Sequence, residues 1–177
     1  MSPMLQKTLW AVLIGIGLAL GLYIGGQQQD SSLPEAPAAG SLVEQTNIKD
    51  LDGKLRNLGE WSGKLMVVNF WATWCPPCRR EIPGFVDLQN QYGDQGLQFI
   101  GIAIDDAAKV RSFADEYPIN YPLLVGQDDA TRAGIAFGND LGALPYTVVI
   151  DQDQRIIYRR AGELPKSTLE DVIKPYL

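Results

Sequence analysis

The two cysteines of the chain, Cys75 and Cys78, stand between an apolar run and a segment of helical periodicity. The run Leu65–Trp71 has the length and composition of a strand that is buried on both faces. After the cysteines, apolar residues recur largely at helical spacing from Ile82 to Tyr92. A buried strand that leads directly into an amphipathic helix is typical of α/β folds, so this junction is the strongest constraint on the architecture.

The same alternation of strand and helix patterns continues to the end of the chain. The predicted elements are a strand at Leu97–Ile104, a helix capped by Asp105 or Asp106, a short strand at Leu123–Val125, a hairpin of Tyr146–Ile150 with Arg155–Tyr158, and a helix whose capping box is Ser167 and Glu170. Upstream, Val43 to Leu58 is predicted to add an N-terminal hairpin that contains Asp52-Gly53. This order predicts a mixed central sheet with helices on both faces.

Composition excludes several classes of function. With 177 residues, the chain is long enough for one ordinary domain and additions to it. Its net charge of −6 argues against nucleic-acid binding, which requires a basic face. The absence of histidine removes Ser–His and Cys–His nucleophile pairs and histidine metal ligands. Two cysteines cannot complete a tetrahedral zinc or iron–sulfur site unless carboxylates or a second chain supply the other ligands, and we expect no metal and no cofactor.

The segment Leu9–Gly26 carries no charged residue over 18 positions. At about 1.5 Å per residue, a helix of this length is at the short end of those that span a bilayer core. Lys7 precedes the segment, whereas Asp30 and Glu35 follow it. The positive-inside rule therefore predicts a single-pass inner-membrane anchor, with residues 1–8 in the cytoplasm and the rest of the chain in the periplasm.

A flexible linker is predicted at residues 27–40, which are rich in Gln, Ser, Pro, Ala and Gly, and the folded domain at residues 41–177. The alternative to an anchor is a cleaved signal peptide, since Ala36-Pro37-Ala38 faintly resembles a cleavage site. Both alternatives export the domain to an oxidising compartment. There the two cysteines can form a disulfide, which needs a reductant if it is to turn over.

The position of the cysteine pair predicts redox chemistry. Cys75 falls at the N-cap of the predicted helix, where unpaired N–H groups and the helix dipole stabilise a thiolate. Pro76 suits the first helical position, and Cys78 lies about one turn further on, so that the two sulfurs can bond. We predict that Cys75 is the exposed, attacking sulfur and that Cys78 is shielded and resolves the mixed disulfide.

Two other interpretations of the pair are weaker. A static disulfide across two residues closes too short a loop to stabilise the fold much. Haem attachment is excluded, because Arg79 rather than histidine follows Cys78.

The segment Val67–Pro83 resembles the active-site signature of membrane-anchored thioredoxin-like proteins of the TlpA/ResA type. Leu144–Thr147 is similar to the cis-proline loop of that family, and Gly101–Asp105 to its central strand. The resemblance covers about residues 41–177. It implies a thioredoxin fold with a central insertion, here about Asp105–Gly126, and a periplasmic thiol–disulfide reductase that is often connected with cytochrome c maturation.

By this resemblance, Pro145 follows a cis peptide bond and lies beside the disulfide. The backbone at Leu144 is then exposed to an extended substrate chain, which can add to it like a short strand. From the residues alone, Pro145 is better explained as an ordinary proline at the start of a strand. Trp74 is expected either to rim the site, where it would bind substrate together with Leu144 and Pro145, or to pack against the motif.

Ordinary thioredoxins place a buried aspartate where this chain has Asn69, and an asparagine cannot accept a proton at neutral pH. Glu81 lies one helical turn beyond Cys78 and is predicted to exchange the proton of the resolving cysteine instead, a role to which the resemblance also points. Partial burial at this place would raise its pKa. From spacing alone, a solvated helix carboxylate is an equally good interpretation of Glu81.

Three functions are compatible with the cysteine pair. The predicted one is an anchored disulfide reductase that acts on exported disulfide-containing proteins and is reduced again by a membrane electron donor of the thiol-transfer type. The second is a thiol peroxidase. Two positions argue against it: Ala72 is found where peroxiredoxins usually have Thr or Ser, and Val68 where they usually have Pro. The third is a copper carrier that binds the metal through Cys75 and Cys78, without Met or His partners.

Overall fold

The computed structural model describes residue 43 and residues 45–177. Its strands and α-helices are β1 (Asn47–Asp50), β2 (Leu55–Asn57), β3 (Leu65–Trp71), α1 (Pro76–Tyr92), β4 (Leu97–Ile104), α2 (Ala107–Glu116), β5 (Leu123–Gly126), α3 (Asp128–Ala136), β6 (Tyr146–Ile150), β7 (Ile156–Ala161) and α4 (Lys166–Ile173). Short 3-10 helices follow β2, α1 and α4, at Leu58–Trp61, Gly93–Gln95 and Lys174–Tyr176.

The predicted anchor at Leu9–Gly26 and the linker at 27–40, with the candidate cleavage site, lie outside the described residues. Within the described part of the chain, no helix combines the length and the apolar character needed to cross a bilayer.

The described strands form one mixed sheet in the order β2-β1-β5-β4-β3-β6-β7. β3, β4 and β5 are parallel neighbours, whereas β6 is antiparallel to β3 and β1 is antiparallel to β5. The hairpins β1–β2 and β6–β7 form the two edges. β3 and β4 have the predicted bounds, and every residue of β3 is buried, which explains why its sequence is an almost unbroken apolar run.

Successive residues of β3 face opposite sides of the sheet and contribute to two separate cores. Leu65 and Trp71 pack in one cluster with residues of α1, α2 and α4. Met66 and Phe70 pack in the other, with residues of α3 and of the first 3-10 helix. Helices therefore cover both faces of the sheet, as predicted. The same alternation places Asn69 on the face that α1 covers.

The two predicted additions to the thioredoxin fold are both present. β1 and β2 pair as an antiparallel hairpin, and the turn between them contains Gly53 at a φ of +79°, which a residue with a side chain rarely adopts. The region predicted as a central insertion, Asp105–Gly126, supplies α2 and β5. β5 lies between β4 and β1, so the insertion joins the N-terminal hairpin to the rest of the sheet.

The helix α3 was not predicted from the sequence. Its buried residues are Ala130, Ala133 and Gly134, all of them small. The periodicity of large apolar side chains that indicates a helix is therefore absent from this segment.

The predicted capping box of Ser167 and Glu170 is wrong. The helix α4 already begins at Lys166, so Ser167 is its second residue and not its N-cap. Pro165 is the N-cap residue, at a φ of −59°, and its side chain makes no capping hydrogen bond. The proline carbonyl instead accepts the N–H of Leu169 at 3.1 Å, which starts the helix.

Candidate active site

The disulfide lies where β3 ends and α1 begins. Cys75 is the extended N-cap residue of α1, and Pro76 is its first helical residue. Cys75 and Cys78 are bonded, with 5.3 Å between their Cα atoms, and the Cys78 N–H donates to Cys75 Sγ at 3.4 Å. The first turn contains no acidic residue. The positive end of the helix dipole therefore acts unopposed on the Cys75 sulfur and favours a thiolate there after reduction.

Both cysteines are buried in this oxidised state. Cys78 is inaccessible and Cys75 is 3 % exposed, so the prediction of a shielded Cys78 is confirmed and that of an exposed Cys75 is wrong. The reason is packing, because Cys75 belongs to the same core cluster as Trp71 and Ile82. Trp74, by contrast, is 65 % exposed, which places it at the rim of the site.

Glu81 is buried on the inner face of α1, with 5 % of the residue exposed, so the interpretation as a solvated carboxylate is wrong. Its Oε1 accepts a hydrogen bond from Asn69 Nδ2 at 2.8 Å, and its Oε2 accepts one from the Leu164 N–H at 2.9 Å. Burial raises the pKa of Glu81 to about 7, although both hydrogen bonds act in the opposite direction. The predicted rise in pKa is confirmed.

Asn69 is held between two partners. Its Nδ2 also donates to Thr147 Oγ1 at 3.0 Å, and both side chains are buried. Sheet pairing explains the contact, because Asn69 of β3 lies opposite Thr147 of β6. Sequence reasoning did not connect Thr147 with Asn69, because the two residues lie 78 positions apart and only the pairing of their strands brings the side chains together.

Pro145 follows a cis peptide bond from Leu144, as the resemblance implies. Tyr146, the next residue, pairs with Phe70, so Pro145 lies at the end of the sheet where β3 leaves toward the cysteines. The Pro145 carbonyl accepts the N–H of Gly162 at 2.8 Å. Pro145 is buried and Leu144 is half-buried, so the loop is held in place at the position predicted for a substrate chain.

The loop before the cysteines is fastened by Asp105. Its Oδ2 accepts hydrogen bonds from the Thr73 N–H at 3.0 Å and from the Thr73 hydroxyl at 2.6 Å. Burial raises the pKa of Asp105, but hydrogen bonds from Thr73 and Asp106 outweigh it and hold the pKa below its usual range. Asp106 is the N-cap of α2, so of the two aspartates offered as caps only the second has that role. Asp105 instead ties the active-site loop to the start of the insertion.

A groove of about 470 Å³ lies on the insertion side of the motif. Its lining residues are Thr73, Arg79, Ala108, Lys109, Ser112, Phe113 and Glu116. The Arg79 guanidinium lies 5.7 Å from the centre of the Phe113 ring and donates to Tyr117 Oη at 2.8 Å. The residue after Cys78 is thus fixed against α2. Among residue 43 and residues 45–177, no three His, Cys, Asp or Glu side chains are grouped as metal ligands.

A mixed sheet of this kind, a disulfide that opens a helix and a cis-proline at the neighbouring strand together define a thioredoxin-like thiol–disulfide oxidoreductase.

Comparisons with known proteins identify the family. The Redoxin family profile matches residues 32–173. Thiol-disulfide oxidoreductase ResA of Bacillus thuringiensis (strain Al Hakam) is 31% identical over 128 residues, which cover 72% of this chain and 72% of that protein. Its namesake from Halalkalibacterium halodurans is 30% identical and covers 96% of this chain and 97% of its own. The crystal structure of a thioredoxin-family thiol:disulfide interchange protein from Chlorobium tepidum matches with a TM-score of 0.66 at 30% identity, over 73% of this chain and 91% of that one. The chain belongs to the Redoxin family, as a thioredoxin-like thiol–disulfide oxidoreductase of the TlpA/ResA type.

Proposed function

We propose that the protein reduces disulfides of exported proteins in the periplasm, where Leu9–Gly26 anchors it to the inner membrane. The observation that carries this proposal is the Cys75–Cys78 disulfide at the start of α1, with the buried carboxyl of Glu81 one turn further on. The charge-free run and the charges around it support the location.

The reduced cysteine pair acts on a client disulfide in two exchanges. First, the Cys75 thiolate attacks one client sulfur, the client S–S bond breaks, a mixed disulfide forms, and the other client sulfur leaves as a thiolate. Second, Cys78 loses its proton and attacks Cys75 Sγ, so that the remaining client sulfur leaves and the Cys75–Cys78 bond forms. Two electrons pass from the cysteine pair to the client, whose thiolates then take up protons.

Glu81 is the group that we assign to the proton of Cys78. With a pKa of about 7, it is close to half ionised at neutral pH. Such a carboxyl can take the proton when Cys78 attacks and return it when the reaction runs backward. Asn69, on the neighbouring strand, has no group that could do the same.

Continued reduction of clients requires a stronger reductant that restores the dithiol. We assign this role to a membrane electron donor of the thiol-transfer type, near which an anchor would keep the domain. Exported proteins with cysteine pairs, apocytochrome c among them, are the proposed clients. The reduction potential is expected to lie nearer to the value of about −270 mV for thioredoxin than to about −120 mV for the oxidant DsbA. Equilibration with glutathione measures it, and a value near DsbA would reverse the direction.

A trapping experiment tests the assigned roles. Cys78→Ser removes the resolving sulfur, so Cys75 should accumulate in mixed disulfides that a reducing agent releases. Cys75→Ser is the matched control and should trap nothing. Mass spectrometry of the captured proteins identifies the clients. Trapping by Cys75→Ser instead of Cys78→Ser would reverse the roles, and clients without export signals would contradict the location.

A further inference from the structure

Asn69 and Thr147 are buried polar residues in the middle of the sheet, between strands that are otherwise packed with apolar side chains. Asn69 is 2 % exposed and Thr147 is fully buried. Two apolar residues of similar size could fill this space at no greater cost in stability, because buried polar groups must first lose their hydration. Their hydrogen bonds therefore point to a purpose beyond packing.

The orientation of the Asn69 amide is fixed from two sides. An asparagine amide has two N–H donors on one atom, and here they serve Glu81 Oε1 at 2.8 Å and Thr147 Oγ1 at 3.0 Å. An ionised carboxylate only accepts hydrogen bonds, so the nitrogen must face Glu81. Thr147 accepts the second N–H and so prevents the amide from turning about its last torsion.

The two hydrogen bonds to the Glu81 carboxyl leave lone pairs that can accept a proton. Each carboxylate oxygen has two lone pairs, and only one on each is used, by Asn69 on Oε1 and by the Leu164 N–H on Oε2. The carboxyl can therefore gain or lose a proton without breaking either bond. Because one donor comes from the sheet and the other from the loop before α4, the carboxyl plane is set by two elements other than α1.

We propose that Asn69 and Thr147 are positioning residues for proton exchange: Thr147 fixes the Asn69 amide, and the amide holds the Glu81 carboxyl in the orientation in which it serves Cys78. This inference rests on the role proposed above for Glu81. It also explains the asparagine itself, since an aspartate at position 69 would place a second carboxyl beside Glu81 and oppose its ionisation.

The influence of Asn69 and Thr147 on the ionisation of Glu81 can be measured, because few other charged groups face the Glu81 carboxyl. Glu163, in the loop before α4, raises the pKa of Glu81, and Arg160 of β7 lowers it. Tyr121, before β5, is buried nearby, and its own pKa is raised far above neutrality, so it stays protonated. The variants below leave all three groups unchanged.

The experiment follows the reaction of the reduced full-length protein with one equivalent of an aromatic disulfide whose thiol is coloured. Attack by Cys75 releases the first coloured thiol, and attack by Cys78 releases the second, so the second phase reports the step that Glu81 assists. Its rate is recorded against pH for the wild type and for Glu81→Gln, Asn69→Leu, Thr147→Val and Thr147→Ser. Thr131→Val, an exposed change on α3, is the matched control.

The wild type should show a midpoint near the pKa of Glu81, about 7, which Glu81→Gln abolishes. Asn69→Leu removes a donor to the carboxylate, so its midpoint should rise by about one pH unit and the rate at pH 7 should fall about fivefold. Thr147→Val should move the midpoint in the same direction by about half a unit, because it loosens the amide. Thr147→Ser keeps the hydroxyl and should restore the wild-type midpoint, and Thr131→Val should match the wild type.

Different results separate the two proposals. If Glu81→Gln leaves the profile unchanged, the role of Glu81 fails and this inference fails with it. If Glu81→Gln abolishes the midpoint but Asn69→Leu and Thr147→Val stay within about 0.2 pH unit of the wild type, only the positioning role is overturned. A shift in Asn69→Leu alone overturns the part assigned to Thr147. Should Asn69→Leu fail to fold, the Thr147→Val and Thr147→Ser pair decides the question.

Discussion

Glu81→Gln is expected to remove most of the dependence of protein stability on pH between pH 5 and pH 8. The chain contains no histidine, and in the oxidised state the cysteines are bonded and do not titrate. Asp105 and Asp151 have pKa values below the usual range, so they change charge at lower pH. Among residue 43 and residues 45–177, Glu81 is therefore the buried carboxyl whose pKa falls in this interval, and its ionisation is expected to govern stability there.

The size of the effect follows from the pKa of Glu81, which is 4.5 in a model peptide and about 7 in the folded protein. As the pH rises through 4.5, the unfolded chain loses its proton while the folded protein keeps it, so the free energy of unfolding decreases until the pH passes 7. The full loss is about 3 kcal/mol, and most of it falls between pH 5 and pH 8.

The glutamine variant should behave differently at the two ends of this interval. Its amide carbonyl can accept the Asn69 N–H, but its NH₂ group cannot accept the N–H of Leu164, as Oε2 does in the wild type. At pH 5 the variant should therefore be less stable than the wild type by about 1–3 kcal/mol. At pH 8, where the wild type carries a buried charge, most of this difference should disappear.

Urea unfolding of the oxidised protein, followed by tryptophan fluorescence at several pH values, measures both curves. Asp171→Asn, an exposed change on α4, is a suitable control and should retain the slope of the wild type. A wild-type free energy of unfolding that varies by less than about 0.5 kcal/mol from pH 5 to pH 8 would refute the reasoning. An equally steep loss of stability in Glu81→Gln would do the same.

Three further substitutions test the packing around the site. Gly101→Ala should lower stability by about 1–3 kcal/mol in thermal unfolding, because its Cβ would lie 2.7 Å from Leu123 Cδ2. Gly134→Ala is the matched comparison, because its Cβ would meet no atom closer than 3.6 Å. The better helix propensity of alanine should leave stability equal or higher. A loss of more than about 1 kcal/mol would contradict this expectation. Asp105→Ala should cost about 1–3 kcal/mol and slow the release of the first coloured thiol, because Thr73 loses its acceptor. An unchanged first phase would show that the loop keeps its position without Asp105.

Much of the site was predictable because its signals are local. The unbroken apolar run of β3, the cysteine at a helix N-cap and the proline at its first helical position each follow from rules that act over a few residues. The carboxyl of Glu81 was found by spacing along the same helix, but spacing alone could not decide between burial and exposure to solvent, since burial depends on what the rest of the chain packs against it.

The contacts that the sequence did not predict are long-range or depend on small residues. Thr147 meets Asn69, and Leu164 meets Glu81, only after strands and loops far apart in the chain have assembled. Asp105 could serve as a helix cap by its position, yet Thr73 takes it as a partner instead. The helix α3 buries alanine and glycine, whose packing leaves no periodic apolar pattern.

The pKa of Glu81 near neutrality is the result of two opposing effects with separate structural origins. Burial under the sheet disfavours the charged carboxyl, whereas the N–H donors of Asn69 and Leu164 favour it. Opening the site to water should therefore lower the pKa toward 4.5, and removing a donor should raise it above 7. Either change moves the pKa of Glu81 away from neutral pH, and the carboxyl then no longer both accepts and returns a proton readily at that pH. If Glu81 takes over the role of the strand aspartate of ordinary thioredoxins, as proposed above, the amide at position 69 supports that role, because it supplies one of the two donors without adding a second charge.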